Sequence, residues 1–434
     1  MRFETLRELY LHSIDSFGPR PCFSMYGGES LTYAEFSERV NTLIDIFVHA
    51  GLSSGDKIAL LSNNMPNWGV AYFAATVSGM VIVPILPDFS GPELDKIILH
   101  SEAKALVVSD KLFTKVSKEV ISGLNLVVLH QTSDTLGSVT IPNGDDLAAI
   151  IYTSGTTSSP KGVMLSHRNL CSELEMVSIL QPVYPDDVFL SILPLSHTYE
   201  CSLGMLLPVM WGASVVYLDK APTASVLLPV LKKVRPTIML TVPLIIEKIY
   251  KNKILPQVAG NRLMAALYKT DWGRRFLHRI AGRRLAQLFG RIRFFGIGGA
   301  KLDPTVELFL LEGRFPYAIG YGLTETAPVL AGVNPSMVRH QSTGVYNVHV
   351  WAGNAGKPTA AQLATQVYVS AFNTVRPAAA AEVSANCQTM QIVARNIEGY
   401  DKVYFPVWSA VNGQDDIVWY PAVKQADGTW TYTA

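Results

Sequence analysis

Residues 152–162 read YTSGTTSSPKG and directly follow the apolar run LAAII. Ser, Thr and Gly at this density let the backbone N–H groups and hydroxyls of Thr153, Ser154, Thr156 and Thr157 converge on one anion. Gly155 permits a close approach that a side chain would block. Lys161 adds a point charge able to reach the terminal oxygens of a polyphosphate. The spacing is not the GxxxxGK[ST] loop of the common nucleotide-binding fold. A bare Ser/Thr/Gly loop is equally a surface turn. His197 lies between a strand end and the next helix, and a lone histidine beside apolar sequence is more often structural than catalytic. Arg274, Arg275, Arg279, Arg283 and Arg284, with His278, form a basic helical stretch in which Arg275, Arg279 and Arg283 share one face. Leu277, Ile280, Leu285 and Leu288 supply its apolar side. That pattern suits a solvated face, contact with an anionic membrane surface, or phosphate binding.

These residues need a scaffold, and the hydrophobic pattern supplies one. Helical stretches alternate with nine short runs: KIALLS, VIVPIL, ALVVS, NLVVLH, LAAIIYTS, DVFLSILP, SVVYLD, TIMLTVP and IRFFGIGG. The runs are nearly continuous in apolar residues, as strands buried on both faces require, so a mostly parallel sheet flanked by helices follows. Nine strands favour two doubly wound lobes, about 1–140 and 141–344, divided near the polar stretch Gln131 to Asp146. Gly51 closes an amphipathic run from Tyr33, and Asp303-Pro304 reads as an N-cap with proline at the first helical position. Trp68 to Pro87 and Cys201 to Leu218 are each about long enough to span a bilayer. Internal Pro and Gly favour a helix followed by a buried strand in both. The start, MRFETLRELYLHSID, has charges where a signal peptide needs an apolar core, so a cytoplasmic location is expected.

The phosphate-loop segment YTSGTTSSPKGV closely resembles the signature of the AMP-forming acyl-CoA synthetases of the adenylate-forming superfamily, with Ser158 where glycine is usual. Three further segments resemble that family in the same order: LPLSHTYE at 193–200, FGIGGAKLDP at 295–304 and YGLTETAP at 321–328. The LPLSHTYE form leans toward the long-chain fatty acid branch. The resemblance covers residues 1–344. It implies attack of a carboxylate on the α-phosphate of ATP, giving acyl-adenylate and pyrophosphate, then thiolysis by CoA. It also implies roles: Thr153, Ser154, Gly155, Thr156, Thr157 and Lys161 on the β- and γ-phosphates, Thr324 on the α-phosphate, and Glu325 on Mg²⁺. Tyr321 and Gly322 would lie against adenine. Gly299 and Ala300 would line the adenine or acyl pocket, and His197 would sit beside the acyl carboxylate.

Composition divides the chain. Leucine occurs 46 times in residues 1–344 and once, at Leu363, in 345–434, which also hold four of the seven Trp. The runs VYNVHVWAG, TQVYVSA, CQTMQIVARN, KVYFPVWSA, DIVWYPAV and WTYTA alternate with period two, and Asn412-Gly413 is a hairpin signal, so a small antiparallel β-sandwich-like module is expected. TGVYNVHVWAGNAG and VYFPVWSAVNGQDDIVWYPA resemble the GBS Bsp-like repeat, a module found beside cell-wall hydrolases. Asp415 and Asp416 read as turn residues or a cation site, and His349, the only histidine there, makes zinc improbable.

The ligase family continues into a barrel with a Thr-Gly-Asp aspartate for ribose, a hinge arginine and a lysine in a Pro-x-x-x-x-Gly-Lys context. Residues 345–434 contain no Thr-Gly-Asp and only Lys357, Lys402 and Lys424, none in that context. The expectation is a truncated AMP-dependent long-chain fatty acid–CoA ligase, impaired in adenylation, joined at HQSTG (340–344) to a β module. The alternative is a non-catalytic nucleotide- or acyl-binding remnant fused to a cell-wall-type binding module. Thirty-six Lys+Arg against 35 Asp+Glu give net +1, which argues against a nucleic-acid partner. Four cysteines (Cys22, Cys171, Cys201, Cys387) make neither a disulfide framework nor a CxxC metal pattern. With 16% charged residues and a mean hydropathy of +0.22, the chain is not disordered.

Overall fold

The structure is a computed structural model that describes residues 2–129, 140–153, 161–219, 222–256, 262–333, 345–353, 360–368, 379–383, 390–394, 402–407, 418–425 and 430–433. The chain forms two compact units, Met1–Val329 and Leu330–Ala434. In chain order the first strands are Pro21–Met25 (β1), Ser30–Thr32 (β2), Lys57–Leu61 (β3), Val81–Ile85 (β4), Ala105–Val108 (β5), Leu126–Leu129 (β6), Leu147–Thr153 (β7) and Lys161–Ser166 (β8). Val188–Ser191 (β9), Ser214–Tyr217 (β10), Ile238–Thr241 (β11), Phe294–Ile297 (β12), Tyr317–Gly322 (β13) and Val329–Val333 (β14) follow.

They build two sheets, one of six strands in the order β6-β5-β3-β4-β7-β8 and one of eight in the order β14-β13-β12-β11-β9-β10-β1-β2. β3 to β7 pair in parallel, as do β9 to β13 with β10 and β1; β7–β8 and β1–β2 are antiparallel. All nine apolar runs are strands, and β4 and β5 are buried at every position. The mixed α/β fold with two mostly parallel sheets is the expected one. The division near residue 140 is not where the sheets divide. β1 pairs with β10, carrying the N-terminal strands into the eight-stranded sheet, and β7 pairs with β4, carrying residues 147–166 into the six-stranded one. Gln131 to Asp146 therefore connects two strands of one sheet. Its polarity marks a connection rather than a boundary.

Local chemistry starts and stops the helices as the residue types demand. Thr32 and Glu35 form a capping box at the head of helix Tyr33–His49, and Gly51, at φ +77°, follows its end. Asp303 caps helix Pro304–Glu312 by accepting from the Thr305 amide at 2.8 Å. The Trp68 to Pro87 run is helix Pro66–Val77 followed by β4, and Cys201 to Leu218 is a π-turn (Cys201–Leu206), a short helix (Leu207–Met210) and β10. Among the described residues no helix is long and apolar enough to cross a membrane. The core beneath is aromatic: Phe36 meets Phe23, Phe73 and Tyr10 edge-on, all fully or nearly fully buried. Each such ring contributes about 1.5–3 kcal/mol by leaving water. Cys22, Cys171 and Cys201 are free thiols in this interior.

The second unit holds Val345–Gly353 (β15), Ala360–Tyr368 (β16), Ala379–Val383 (β17), Met390–Ala394 (β18), Lys402–Val407 (β19), Val418–Pro421 (β20), Val423–Lys424 (β21) and Trp430–Thr433 (β22). They form two four-stranded antiparallel sheets, β16-β15-β19-β20 and β17-β18-β22-β21, the small antiparallel module anticipated. β17 has no counterpart among the predicted strands, because its sequence, AAAEV, carries little β signal. Asn412, Gly413, Asp415 and Asp416 lie outside the described residues, although the strands flanking them, β19 and β20, pair antiparallel.

Candidate active site

In parallel sheets the carboxyl ends of the strands face one edge, and ligands collect where the strand order reverses. In the eight-stranded sheet β10 lies on one side of β9 and β11 to β13 on the other, so the order reverses at β9. His197 follows β9, Gly299 and Ala300 follow β12, and Tyr321, Gly322, Thr324 and Glu325 end or follow β13. Four of the sequence-predicted segments thus reach one edge, the fourth through the β7–β8 hairpin.

That hairpin belongs to the other sheet. Thr153 ends β7 and pairs across the ladder with Lys161, the exposed first residue of β8. Ser154, Gly155, Thr156, Thr157 and Ser158 lie outside the described residues. β8 packs on the 3₁₀ turn Thr324–Thr326. The same two regions are tied where Glu173, on helix His167–Leu180, accepts from the Val329 amide at 2.9 Å. Burial pushes the Glu173 carboxyl up to about 8, although the Val329 bond pulls the other way.

The turn after β13 is closely determined. The Leu323 amide donates to the Pro328 carbonyl at 2.9 Å, and the Thr326 hydroxyl donates to the same oxygen at 2.8 Å. Ala327 sits at φ +65°. This clasp holds Thr324 half-buried and leaves the Glu325 carboxylate exposed. Tyr321 is 42% exposed at the end of the strand, so it is not a core residue. Gly299, at φ +83°, turns the chain out of β12 and leaves Ala300 exposed, while β-carbons at Gly296 and Gly298 would meet the ring of Tyr199 at 2.9 and 3.1 Å.

His197 caps helix Thr198–Glu200, its amide donating to Pro194 O at 3.0 Å and its carbonyl accepting from the Cys201 amide at 2.9 Å. The residue is exposed, and partial desolvation lowers its pKa from the ordinary histidine value. Asn64 holds the approach to this histidine. Its amide donates to Leu193 O at 2.7 Å and Ser191 Oγ at 3.2 Å, and its Oδ1 accepts from the Leu195 amide at 2.9 Å. Asn64 lies just beyond β3, so one side chain stitches the carboxyl ends of the two sheets together. Sequence reasoning missed it. The available signal was a run of polar residues, Ser62 to Asn64, after a parallel strand buried at its last four positions.

Glu200 was also missed. It is 1% exposed, bonded to the Ser191 hydroxyl and the Ile192 amide, and burial pushes its carboxyl up to about 8. At neutral pH it is therefore mostly the uncharged acid, held at the start of a π-turn, a distortion frequent at functional sites. Among the described residues no three His, Cys, Asp or Glu side chains cluster as a metal site. A lone exposed Glu325 suits a cation held mainly by phosphate oxygens.

A family profile described as "AMP-binding enzyme" matches residues 12–370. The chain belongs to that family. Its relatives in the AMP-binding family include long chain acyl-CoA synthetase 6, peroxisomal, of Arabidopsis thaliana, 30% identical over 353 residues that cover 70% of this chain and 49% of that protein. A feruloyl-CoA synthase of an Amycolatopsis species is 29% identical over 82% of this chain and 69% of its own length. The chain spans about half the length of the long-chain relatives it matches. A long-chain-fatty-acid-CoA ligase (FadD1) from Archaeoglobus fulgidus superposes with TM-score 0.65 at 17% identity, over 97% of this chain and 84% of that one. The Klebsiella oxytoca NpsA N-terminal subdomain with 3-hydroxybenzoyl-AMSN gives 0.64 at 14%, over 99% and 97%; both likenesses concern the fold. Residues 379–434 match the GBS Bsp-like repeat. The AMP-binding match runs past Gly344, so it takes in β15 and β16.

Proposed function

We propose that the chain is an AMP-dependent long-chain fatty acid–CoA ligase whose described site binds and forms acyl-adenylate. The observation that carries this is the convergence, on one edge of two parallel sheets, of the Thr153–Lys161 hairpin, His197, Gly299-Ala300 and the clasped Tyr321–Thr326 segment. The chemistry is electrostatic. A carboxylate must approach an α-phosphate that carries its own charge, and the transition state gathers more. Lys161, with the amides and hydroxyls of Thr153 to Thr157, holds the β- and γ-phosphates and so the departing pyrophosphate. Thr324 donates to the α-phosphate, Tyr321 and Gly322 carry adenine, Gly299 and Ala300 line the pocket, and His197, its pKa lowered by desolvation, positions the fatty carboxylate. Glu325 would hold Mg²⁺, which supplies charge neutralisation when bound. CoA is the acyl acceptor.

The long-chain assignment is supported by the LPLSHTYE segment and the long-chain relatives. The feruloyl- and coumarate-CoA relatives make hydroxycinnamates the competing class. The match at 379–434 favours a second reading, an adenylate-binding remnant fused to a wall-binding module. We place the protein in the cytoplasm, and the two family matches, 12–370 and 379–434, support a join between residues 370 and 379 rather than near Gly344. ATP–pyrophosphate exchange with palmitate and ferulate tests the reading. Exchange that depends on palmitate is expected, with ferulate supporting it at least about tenfold less. Absence of exchange with either acid removes the ligase reading. Exchange with ferulate alone removes the long-chain assignment.

A further inference from the structure

Helix Asp271–Phe289 is 19 residues long, about 28 Å at 1.5 Å per residue. Its inner face buries Leu277, His278, Leu285 and Phe289, with charges paired: Glu312 takes Arg274 at 3.0 Å and His278 Nδ1 at 2.7 Å, and Asp271 takes Arg274 at 2.8 Å. The sequence reading put Ile280 with the inward leucines, but Ile280 faces outward. So do Trp272 and Phe276. Their exposures are 37%, 70% and 47%, and the Trp272 and Phe276 rings stack at 5.7 Å. At four-residue spacing these three make a short apolar stripe on the solvent face.

Arginines border that stripe. Arg275, Arg279 and Arg283 run beside it at the same spacing, Arg284 follows Ile280 at the end of the stripe itself, and all four are exposed. Arg279, Arg283 and Arg284 make no ion pair among the described residues, and Arg275 only approaches Glu312, at 3.6 Å. The outward face carries no acid; the helix's one carboxylate, Asp271, is spent on Arg274. Protein interfaces enrich Trp, Phe and Arg as well, so it is the pattern rather than the residue types that identifies the partner. Here apolar and cationic residues interleave every turn, the arrangement of a helix lying in a lipid interface, with rings among acyl chains and guanidinium groups among headgroups.

We propose that this face docks the protein on an anionic membrane surface, through Trp272, Phe276 and Ile280 in the apolar layer and Arg275, Arg279, Arg283 and Arg284 on lipid phosphates. The inference stands apart from the ligase reading, and failure of either leaves the other intact. The test is flotation of the full 434-residue chain with vesicles of phosphatidylcholine, with and without 30% phosphatidylglycerol. Binding to the anionic vesicles alone is expected, released by high salt. Arg279→Gln/Arg283→Gln/Arg284→Gln should lower partitioning about a hundredfold, at about fivefold per arginine. Trp272→Ala/Phe276→Ala should lower it at least about tenfold. Both replace exposed side chains, so thermal unfolding should stay as in the parent. No binding of the parent to anionic vesicles overturns the proposal. So does either variant binding like the parent: retention without the rings leaves only long-range attraction, and retention without the arginines leaves no role for the headgroups.

Discussion

Replacing Gly322 with alanine is expected to abolish nucleotide binding. A β-carbon at this position would stand 1.7 Å from the Pro328 carbonyl oxygen and 3.0 Å from Val329 Cα, both backbone atoms that no rotamer change can clear. That oxygen is also the acceptor for the Leu323 amide and the Thr326 hydroxyl. Relief therefore requires the 322–328 clasp to open. Opening it loses two hydrogen bonds, about 0.5–1.5 kcal/mol each, adds strain, and displaces Thr324 and Glu325 together. Affinity for a non-hydrolysable acyl-adenylate analogue should fall at least about a hundredfold, because misplacement by about 1 Å already costs that much. The melting temperature should fall by several degrees. Gly320, whose added β-carbon would meet only a carbonyl at 3.9 Å, is the control, and its alanine variant should bind like the parent. Equal affinity of the two variants would mean that the clasp does not set the site.

The second large effect concerns pH. The Glu200 carboxyl is pushed from its ordinary 4.5 up to about 8 by burial. Between those values the folded chain keeps a proton that the unfolded chain has released, so this group's contribution to stability falls as pH rises from about 4.5 to about 8 and is level outside that window. The slope is about 1.4 kcal/mol per pH unit. Glu173 behaves alike. His167, whose pKa burial lowers to about 4, opposes both below 6.5 by gaining stability as pH rises. The clean observable is therefore the difference between the parent and Glu200→Gln in urea unfolding. Their stability gap should move in favour of the variant by several kcal/mol between pH 5 and pH 8, because glutamine keeps the shape and cannot ionise. Parallel pH profiles would show that Glu200 is charged in the fold.

Why some of this was legible follows from where the residues sit. Strands buried on both faces write themselves as unbroken apolar runs, so β3 to β7 and β9 to β12 could be read directly. β8 could not, because as an edge strand it exposes Lys161 and Met164, nor could β13, whose YAIGYG carries two glycines. β1 and β2 were hidden for a different reason: they pair locally with each other, but β1's other partner, β10, lies far along the chain, so no local pattern reveals the exchange of segments between sheets. The site shows the same split. Thr153, Lys161 and His197 stood out by residue type, and Tyr321, Thr324 and Glu325 by resemblance to the ligase family. Asn64 and Glu200 act only once distant chain segments meet. The basic helix was legible as charge, but which of its apolar residues face outward was decided by packing against Glu312 and the strands beneath.

The account rests on a built acyl-adenylate site, and isothermal titration of the parent chain with a non-hydrolysable palmitoyl-adenylate analogue tests it most directly. One-to-one binding in the micromolar range or tighter is predicted, weakened at least about tenfold by Thr324→Val through loss of a hydrogen bond to the charged α-phosphate. Absence of heat at any analogue concentration up to millimolar, with the chain folded, would contradict it.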